Sequence, residues 1–233
     1  MSELRLLTYN VRSLRDDAGA VAAVIRACRP DVVAVQEAPR FLRWRSKRAG
    51  LARRSGLVVA TAHRPGGLMV MTTVAVQVQG TSLALLPKTP RLHQRAVVTA
   101  DVELGGARWT IASIHFSLDQ DERLRQLPHV FSALDLSGDA GSRSGGPPVV
   151  VAGDVNERPQ GPVWQGLGAR LQDAYAVAPG GPGDTYHARR PTKRIDGVFA
   201  DRQVEVVECR AVDDVPGVDV ASDHLPVLAV LRQ

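Results

Sequence analysis

The chain of 233 residues has few aromatic side chains and few cysteines. Phe, Trp and Tyr together make up only 4% of it, so the core must be built mainly from Val, Leu, Ala and Ile. The two cysteines, Cys28 and Cys209, are too few for a disulfide framework and do not by themselves make a metal site. We therefore expect a reducing, cytoplasmic compartment.

Long apolar runs are also missing. No apolar stretch approaches the length that spans a bilayer, so we expect no membrane span. The segment Met1-Ser2-Glu3 carries an acid where a secretory signal peptide has a basic region. Apolar residues still make up 44% of the chain, enough for a sizeable core. We expect one globular domain over residues 1–233 and a monomer.

Acidic residues are absent from one continuous segment. From Ala38 to Ala100 there are eleven Lys or Arg residues and no Asp or Glu, which leaves 18 basic against 24 acidic residues elsewhere. This segment therefore carries the whole positive excess of a chain whose formal net charge is +5. Such a field attracts polyanions. It is equally typical of a solvated, arginine-rich face, because 26 of the 29 basic residues are Arg, and both interpretations stay open.

Hydrophobic periodicity predicts many strands and a few helices. The chain opens with a strand over Leu4–Asn10, a helix over Asp17–Arg29 and a strand over Asp31–Glu37, which is the start of a βαβ unit. Further strands are predicted at 57–60, 68–71, 74–78, 83–86, 95–104, 108–115, 148–152, 195–200, 204–212 and 226–231. Further helices are predicted at 39–54 (or a basic turn), 121–136 and 162–175, with a Gly/Ser/Pro loop at 137–148. This order favours a β-sandwich with helices outside it.

Polar residues of a few chemical types recur at the ends of these strands. They are Asn10, Glu37, His115, Asp154, Asn156, Asp196, Asp223 and His224. Strand ends gather at the rims of sheets, where loops expose side chains on a rigid backbone. One such residue is usually a turn residue or a helix cap, but their joint occurrence predicts one assembled site.

The residue types fit metal-assisted cleavage of a phosphate ester. Mg²⁺ prefers carboxylate and amide oxygens, which Glu37, Asp223 and Asn10 offer, and Mn²⁺ accepts the same ligands. In-line attack on phosphorus also needs a base for the attacking water and donors for the phosphoryl oxygens. Asp154 suits the base and Asn156 the orientation of the phosphate.

Two histidines supply further donors. His115 and His224 can donate hydrogen bonds to phosphoryl oxygens, and Asp196 can fix the tautomer of His224.

Six short motifs that contain these residues occur in a familiar order. They are Leu6 to Arg12, Val35 to Glu37, Ser113 to Ser117, Ala152 to Asn156, Arg194 to Phe199 and Ser222 to Val227. Over essentially its whole length the chain resembles the endonuclease/exonuclease/phosphatase superfamily, in particular its deoxyribonuclease-like and sphingomyelinase-like metal phosphodiesterases. The resemblance implies an α+β fold, a four-layer α/β/β/α sandwich of two mainly antiparallel or mixed sheets with flanking helices.

The resemblance also implies roles for the strand-end residues. Glu37 is implied as the principal ligand of the Mg²⁺, helped by Asn10 and Asp223. Asp154 is implied as the residue that activates water and Asn156 as a phosphate contact. The Asp196–His224 pair is implied to stabilise the transition state.

Two positions depart from the abasic-site branch of that superfamily. His115 stands where those endonucleases have tyrosine, and Arg12 stands where they have aspartate, which disfavours an abasic-site enzyme. An arginine at position 12 suits contact with a substrate phosphate. Arg12 is accordingly a predicted substrate contact, and Asn156 and Arg194 are the other two.

Three functions stay open at this point. The first is a metal-dependent phosphodiesterase or nuclease, and nucleic acid is then a partner. The second is a phosphomonoesterase or a lipid-type phosphodiesterase that acts on a small phosphorylated substrate. The third is a catalytically dead member that only binds a partner.

Overall fold

The computed structural model describes residues 2–61, 63–137 and 146–233. The strands are β1 (Glu3–Asn10), β2 (Val32–Gln36), β3 (Val58–Val59), β4 (Met69–Thr72), β5 (Gln77–Leu85), β6 (Ala96–Leu104), β7 (Ala107–His115), β8 (Val149–Asp154), β9 (Gln172–Asp173), β10 (Asp196–Ala200), β11 (Glu205–Ala211) and β12 (Val227–Arg232). The helices are α1 (Ala18–Cys28), α2 (Trp44–Ser55), α3 (Gln120–Ala133), α4 (Pro162–Arg170), α5 (Ala174–Val177) and α6 (Val218–Ala221), with 3-10 turns at Arg12–Leu14 and Pro65–Gly67.

The strands form two six-stranded mixed sheets. Their orders are β11-β12-β1-β2-β4-β3 and β5-β6-β7-β8-β10-β9. The β1/β2 and β7/β8 pairs are parallel and the other neighbours are antiparallel. The predicted βαβ start is therefore confirmed in β1, α1 and β2.

Three apolar clusters hold four layers together. The largest lies between the sheets and includes Leu6 of the first sheet and Val150 of the second. A second packs α1, α2 and α6 on the outer face of the first sheet, and a third packs α3 and α4 on the outer face of the second. The predicted α/β/β/α sandwich is confirmed. Within the described residues, no helix combines the length and apolarity needed to cross a bilayer.

The polar strand-end residues lie on the same strand faces as the apolar layer between the sheets. Successive side chains of a strand point to opposite faces, so every second residue faces the other sheet. Ala152 of β8 and Val198 of β10 belong to the layer between the sheets. Asp154 lies two residues after Ala152, and Asp196 lies two residues before Val198 on the antiparallel strand. Leu6 of β1 leads in the same way to Asn10. The apolar layer therefore ends in a rim of polar side chains.

The prediction of two strands over residues 74–78 and 83–86 was wrong. One strand, β5, contains the end of the first segment and most of the second, with a register shift between Val78 and Gly80, and residues 74–76 lie in a turn before it. It forms the edge of its sheet and is largely exposed on both faces. Alternating apolar residues are therefore not required there, and the polar residues in its middle do not mark a turn.

The prediction of one helix over residues 162–175 was also wrong. The segment contains α4, then β9, then α5. The helix is interrupted at Asp173. The Oδ1 atom of Asp173 accepts hydrogen bonds from the backbone N–H groups of Tyr175 and Ala176, so Asp173 caps α5 and begins a new helix. The short helix α6 was not predicted, and most of the predicted 137–148 loop lies outside the described residues.

Gly153 lets β7 and β8 approach each other beside the polar rim. A Cβ atom at this position would lie 2.0 Å from the backbone oxygen of Ile114. We expect Gly153→Ala to lower the free energy of unfolding by about 3 kcal/mol, because the overlap involves backbone rather than a flexible side chain. Urea denaturation measures this change.

Gly168→Ala is the matched control. A Cβ atom added at Gly168 in α4 would meet no atom within 4 Å. Alanine also favours the helix, so this variant should be unchanged or more stable by up to about 1 kcal/mol. Equal stability of the two variants would show that the β7–β8 contact does not depend on glycine.

Candidate active site

Three neighbouring strands of the second sheet place His115, Asp154 and Asp196 side by side. In the register of the sheet His115 of β7 pairs with Asp154 of β8, and Asp154 pairs with Asp196 of β10. Asn10 at the end of β1 reaches across from the first sheet and donates from Nδ2 to Asp154 Oδ2 at 3.0 Å. The predicted strand-end residues therefore meet where the two sheets face each other.

Asp154 is the centre of this arrangement. Its side chain is almost fully buried, and its Oδ2 lies 3.4 Å from His115 Nε2 and 3.8 Å from His224 Nε2. Its Oδ1 accepts a hydrogen bond from the backbone N–H of Asn156 at 2.9 Å. Burial and, after it, the charge of Asp196 raise the pKa of Asp154 to about 7, against the opposing effect of His224 and of the hydrogen bonds from Asn10 and Asn156. A carboxylate of this kind is suited to accept a proton near neutral pH.

Asp196 and His224 form a buried pair beside Asp154. His224 Nδ1 lies 2.8 Å from Asp196 Oδ2, which also accepts a hydrogen bond from the Thr185 hydroxyl at 2.6 Å. Burial by itself lowers the pKa of His224, but the charge and hydrogen bond of Asp196, with Asp154 and Asp223, outweigh it and raise the pKa to about 10. The ring is therefore an imidazolium that presents its Nε2–H toward Asp154.

His115 has the opposite electrostatic character. Burial lowers its pKa well below the usual range, and the nearby Arg95 adds to that effect. It is therefore a neutral imidazole. The two histidine rings on either side of Asp154 thus differ in charge.

Two further carboxylates lie in the cleft beside this cluster. Glu37 and Asp223 both line the cleft of about 540 Å³ that contains Asp154 and both histidines. In the described part of the chain, no cation lies within ion-pair distance of the Glu37 carboxylate. Asp223 lies 3.4 Å from Arg12 Nε. A half-buried carboxylate without a protein cation fits a bound divalent ion.

A second set of possible metal ligands lies closer together than Glu37, Asp223 and Asn10 are known to be. Ligand atoms of Asp154, Asp196 and His224 all lie within 4.8 Å of one another. We nevertheless favour the Glu37 side, because Asp196 Oδ2 is occupied by two hydrogen bonds and a protonated His224 repels a cation. The oxygen of the third predicted ligand, Asn10, accepts a hydrogen bond from the Arg12 backbone N–H at 3.1 Å and keeps one lone pair free.

Arg95 is a cleft residue that the sequence interpretation missed. It is 8% exposed, its Nε has no hydrogen-bond partner in the described structure, and it lines the cleft with Glu37 and Asp154. Burial lowers its pKa, an effect that the charges of Asp154 and Glu37 oppose. A buried guanidinium with a free donor is suited to bind an anion. Its position directly before β6, in the segment without acids, was the available signal.

Asn156 lines the cleft, and its backbone conformation and a hydrogen bond of its side-chain amide fix its position. Its φ is 54°, in the left-handed region, and its Nδ2 donates to the Phe116 oxygen at 3.0 Å. The side chain is thereby fixed within the cleft, where the sequence placed a phosphate contact.

Two predicted substrate contacts lie elsewhere. Arg194 donates two hydrogen bonds to Asp173, at 2.9 and 2.8 Å, and stacks between the rings of Trp164 and Tyr175. It is not among the described residues that line the cleft. Arg12 lies on the far side of Asp223, in a smaller pocket of about 240 Å³, where its Nη1 donates to Asp16 Oδ1 at 3.1 Å. The structure brings neither guanidinium to Asp154.

A buried polar face of α3 supports the loop that follows His115. Glu122 accepts a hydrogen bond from the Ser117 hydroxyl at 2.7 Å, and Gln126 accepts one from the Ser117 backbone N–H at 3.2 Å. Arg123 donates from Nη1 to the backbone oxygens of Ser117 and Leu118. These side chains fix the loop between β7 and α3 and with it the end of β7 that carries His115.

Comparisons with known proteins agree with this architecture. The family model described as "Endonuclease/Exonuclease/phosphatase family" matches residues 7–224. A search of curated proteins found no match.

Solved structures of similar fold cover nearly the whole chain. An endonuclease/exonuclease/phosphatase from Bacteroides vulgatus has a TM-score of 0.79 at 19% identity, over 100% of this chain and 99% of its own. A mannosyl-6-phosphatase from Bacteroides thetaiotaomicron has a TM-score of 0.81 at 15% identity, over 99% and 100%. The human nocturnin catalytic domain, solved with a bound sulfate anion, has a TM-score of 0.74 at 16% identity, over 99% and 94%. At these identities the structures show a common fold, and it is the family match over residues 7–224 that establishes that the chain belongs to the endonuclease/exonuclease/phosphatase family.

Proposed function

We propose that the protein is a Mg²⁺-dependent phosphodiesterase in which Asp154 activates the attacking water. The observation that carries the proposal is the buried Asp154 carboxylate, held by Asn10 and flanked by two histidines, in a cleft that also contains Glu37 and Arg95. Membership of a family of phosphoester hydrolases supports the reaction class.

Glu37, Asp223 and the Asn10 oxygen are the proposed ligands of the ion, with Mn²⁺ as a possible replacement. When bound, a divalent ion supplies Lewis-acid polarisation of a phosphoryl oxygen.

The protein's own residues supply the proton transfers and the charge stabilisation. Asp154 Oδ2 accepts a proton from water as the water oxygen bonds to phosphorus and the ester P–O bond breaks, so that the leaving-group oxygen departs with the bonding electrons. The Asn10 amide and His115 lie beside the carboxylate and keep it oriented. His224, kept protonated by Asp196, donates from Nε2 to a phosphoryl oxygen as negative charge develops there. The Asn156 amide and the Arg95 guanidinium line the same cleft and supply further donors.

Asp154→Asn removes the proton acceptor while it keeps the size of the side chain. We expect kcat/KM for bis-p-nitrophenyl phosphate in Mg²⁺ to fall about 10³-fold, because general base catalysis is lost. Release of p-nitrophenol measures this effect, and thermal melting checks that the variant is folded.

Asp101→Asn is the matched control for Asp154→Asn. Asp101 lies on β6 and accepts a hydrogen bond from the Thr110 hydroxyl, away from the cleft. This variant should keep its activity within about twofold, since it touches no cleft residue.

The proposal would be contradicted if the wild-type protein showed no magnesium-dependent hydrolysis. That result would favour a role in binding only.

Glu37→Gln tests the metal site. We expect a chelator to abolish hydrolysis and added Mg²⁺ to restore it in the wild type. The variant should need at least about tenfold more Mg²⁺ for half-maximal rate, because one carboxylate ligand has become a neutral amide. Glu103→Gln, on β6, is the control and should keep the wild-type requirement. An unchanged Mg²⁺ titration for Glu37→Gln would place the ion elsewhere.

A phosphomonoesterase acting on a small molecule is the second candidate. The cleft volume of about 540 Å³ favours it, because a compact cleft suits a small phosphorylated substrate. A protein of similar fold carries the name mannosyl-6-phosphatase.

A panel of diesters and monoesters separates the two candidates. If the protein is a phosphodiesterase, kcat/KM for bis-p-nitrophenyl phosphate should exceed that for p-nitrophenyl phosphate by at least about tenfold, because discrimination between substrates is the ratio of their kcat/KM values. Plasmid DNA, RNA and sphingomyelin extend the panel to natural diesters. The opposite order of rates would favour the phosphomonoesterase.

A further inference from the structure

A second concave surface lies beside the catalytic cleft, between α2 and the start of α1. Its volume is about 380 Å³, and its charged residues are Arg43, Lys47, Arg53 and Arg54. Its other lining residues are uncharged. We call this surface the α2 groove.

The charge of the α2 groove is not neutralised by the protein. All four cations are exposed, and within the described part of the chain none of them forms an ion pair. The acids at the start of α1 are engaged elsewhere. Asp16 pairs with Arg12 at 3.1 Å, and Asp17 accepts hydrogen bonds from two backbone N–H groups of α1. A concave surface with four unpaired cations therefore attracts anions, and several anionic groups at once.

The groove and the catalytic cleft share a wall. Ser13 lines the groove, and its backbone N–H donates to the backbone oxygen of Glu37, a cleft residue, at 2.8 Å. Along the chain the groove begins three residues after Asn10 on one side and six residues after Glu37 on the other. A ligand with anionic groups along its length can therefore occupy both surfaces.

We propose that the α2 groove binds the phosphodiester backbone of a polynucleotide whose scissile phosphate lies in the catalytic cleft. The proposal rests on the phosphodiesterase function and names its substrate class. Among the described residues the groove is lined by its four cations and by neutral residues without an aromatic side chain, so it recognises phosphates and not bases. The neutral residues are Ser13, Leu14, Ala18, Ser46 and Gly50. Binding is then independent of sequence and sensitive to salt.

An anionic lipid surface is the competing occupant. Phe41 and Leu42, next to Arg43, are 68% and 81% exposed and suit contact with a bilayer. The four cations, however, lie in a concavity, which admits a strand of polymer more readily than a broad membrane surface. The geometry therefore favours the polynucleotide.

The test compares two double variants. Arg43→Gln/Lys47→Gln removes two charges of the groove and touches no residue of the cleft. Arg108→Gln/Arg202→Gln removes two exposed charges that lie away from the cleft. Arg108 is near the start of β7, whose other end carries His115, and Arg202 follows the end of β10, whose other end carries Asp196. Both variants change the net charge equally, and thermal melting checks that both are folded.

Binding is measured without hydrolysis. Fluorescence anisotropy of a labelled 20-nucleotide single-stranded DNA or RNA in chelator gives the Kd over a series of salt concentrations. We expect the groove variant to bind about tenfold more weakly at low salt. Its slope of log K against log salt should be shallower by about 1.4, because two phosphate contacts are lost. The control variant should stay within about twofold of the wild type.

Hydrolysis separates this proposal from the proposed function. Both double variants should cleave bis-p-nitrophenyl phosphate as the wild type does, because that substrate fits within the cleft. The groove variant should show a raised KM for the polynucleotide only. Groove-dependent binding without any hydrolysis by the wild type would support the groove and overturn the phosphodiesterase.

Two results would overturn the groove proposal. One is a groove variant with the oligonucleotide Kd and salt slope of the wild type. The other is a groove variant that loses binding to phosphatidylserine vesicles while it keeps its oligonucleotide affinity, which would assign the surface to a membrane.

Discussion

The burial of one carboxylate, Asp154, is the constraint on which the rest of the site depends. A carboxylate that is 1% exposed cannot hold a negative charge unless N–H donors replace the water it has lost. The Asn10 amide on β1 and the Asn156 backbone N–H after β8 are such donors, and the rings of His115 on β7 and His224 before β12 lie 3.4 and 3.8 Å from Asp154 Oδ2. The site therefore exists only when both sheets are assembled with their polar ends together, and the apolar layer between the sheets does this.

Backbone strain concentrates at the same end of the sandwich. Arg12, Glu37 and Asn156 all have φ between 44° and 54°, a region that non-glycine residues adopt at a cost. Each follows a strand that ends at the site and turns the chain sharply there. The Ser13–Glu37 and Asn156–Asp154 hydrogen bonds hold two of these turns in place. We infer that this geometry keeps the strand-end side chains directed into the cleft, where an unstrained turn would carry them outward.

The sequence predicted the fold class and the cluster around Asp154 because both follow from local patterns. Apolar strands that end in Asn10, His115 or Asp154 are visible in the sequence, and alternation fixes which face these residues occupy. The exposed edge strand β5 lacks that alternation, so its extent was missed. The break between α4 and α5 has a local signal in Asp173, which caps α5, and this signal was overlooked. The pairing of Asp173 with Arg194, 21 residues away in sequence, leaves no local signal, so Arg194 was expected at the substrate.

The different roles of the arginines show why composition alone could not identify Arg95. Within the segment that lacks acids, Arg48 is buried and donates to the backbone oxygens of Pro39, His63 and Leu68. Arg43 is exposed on the α2 groove, and Arg95 is buried in the cleft with a free Nε. Only the fold separates these three cases. A carboxylate within reach of a buried guanidinium would pair with it and displace any phosphate. We therefore infer that the absence of acids from this segment leaves Arg95 available to a substrate anion.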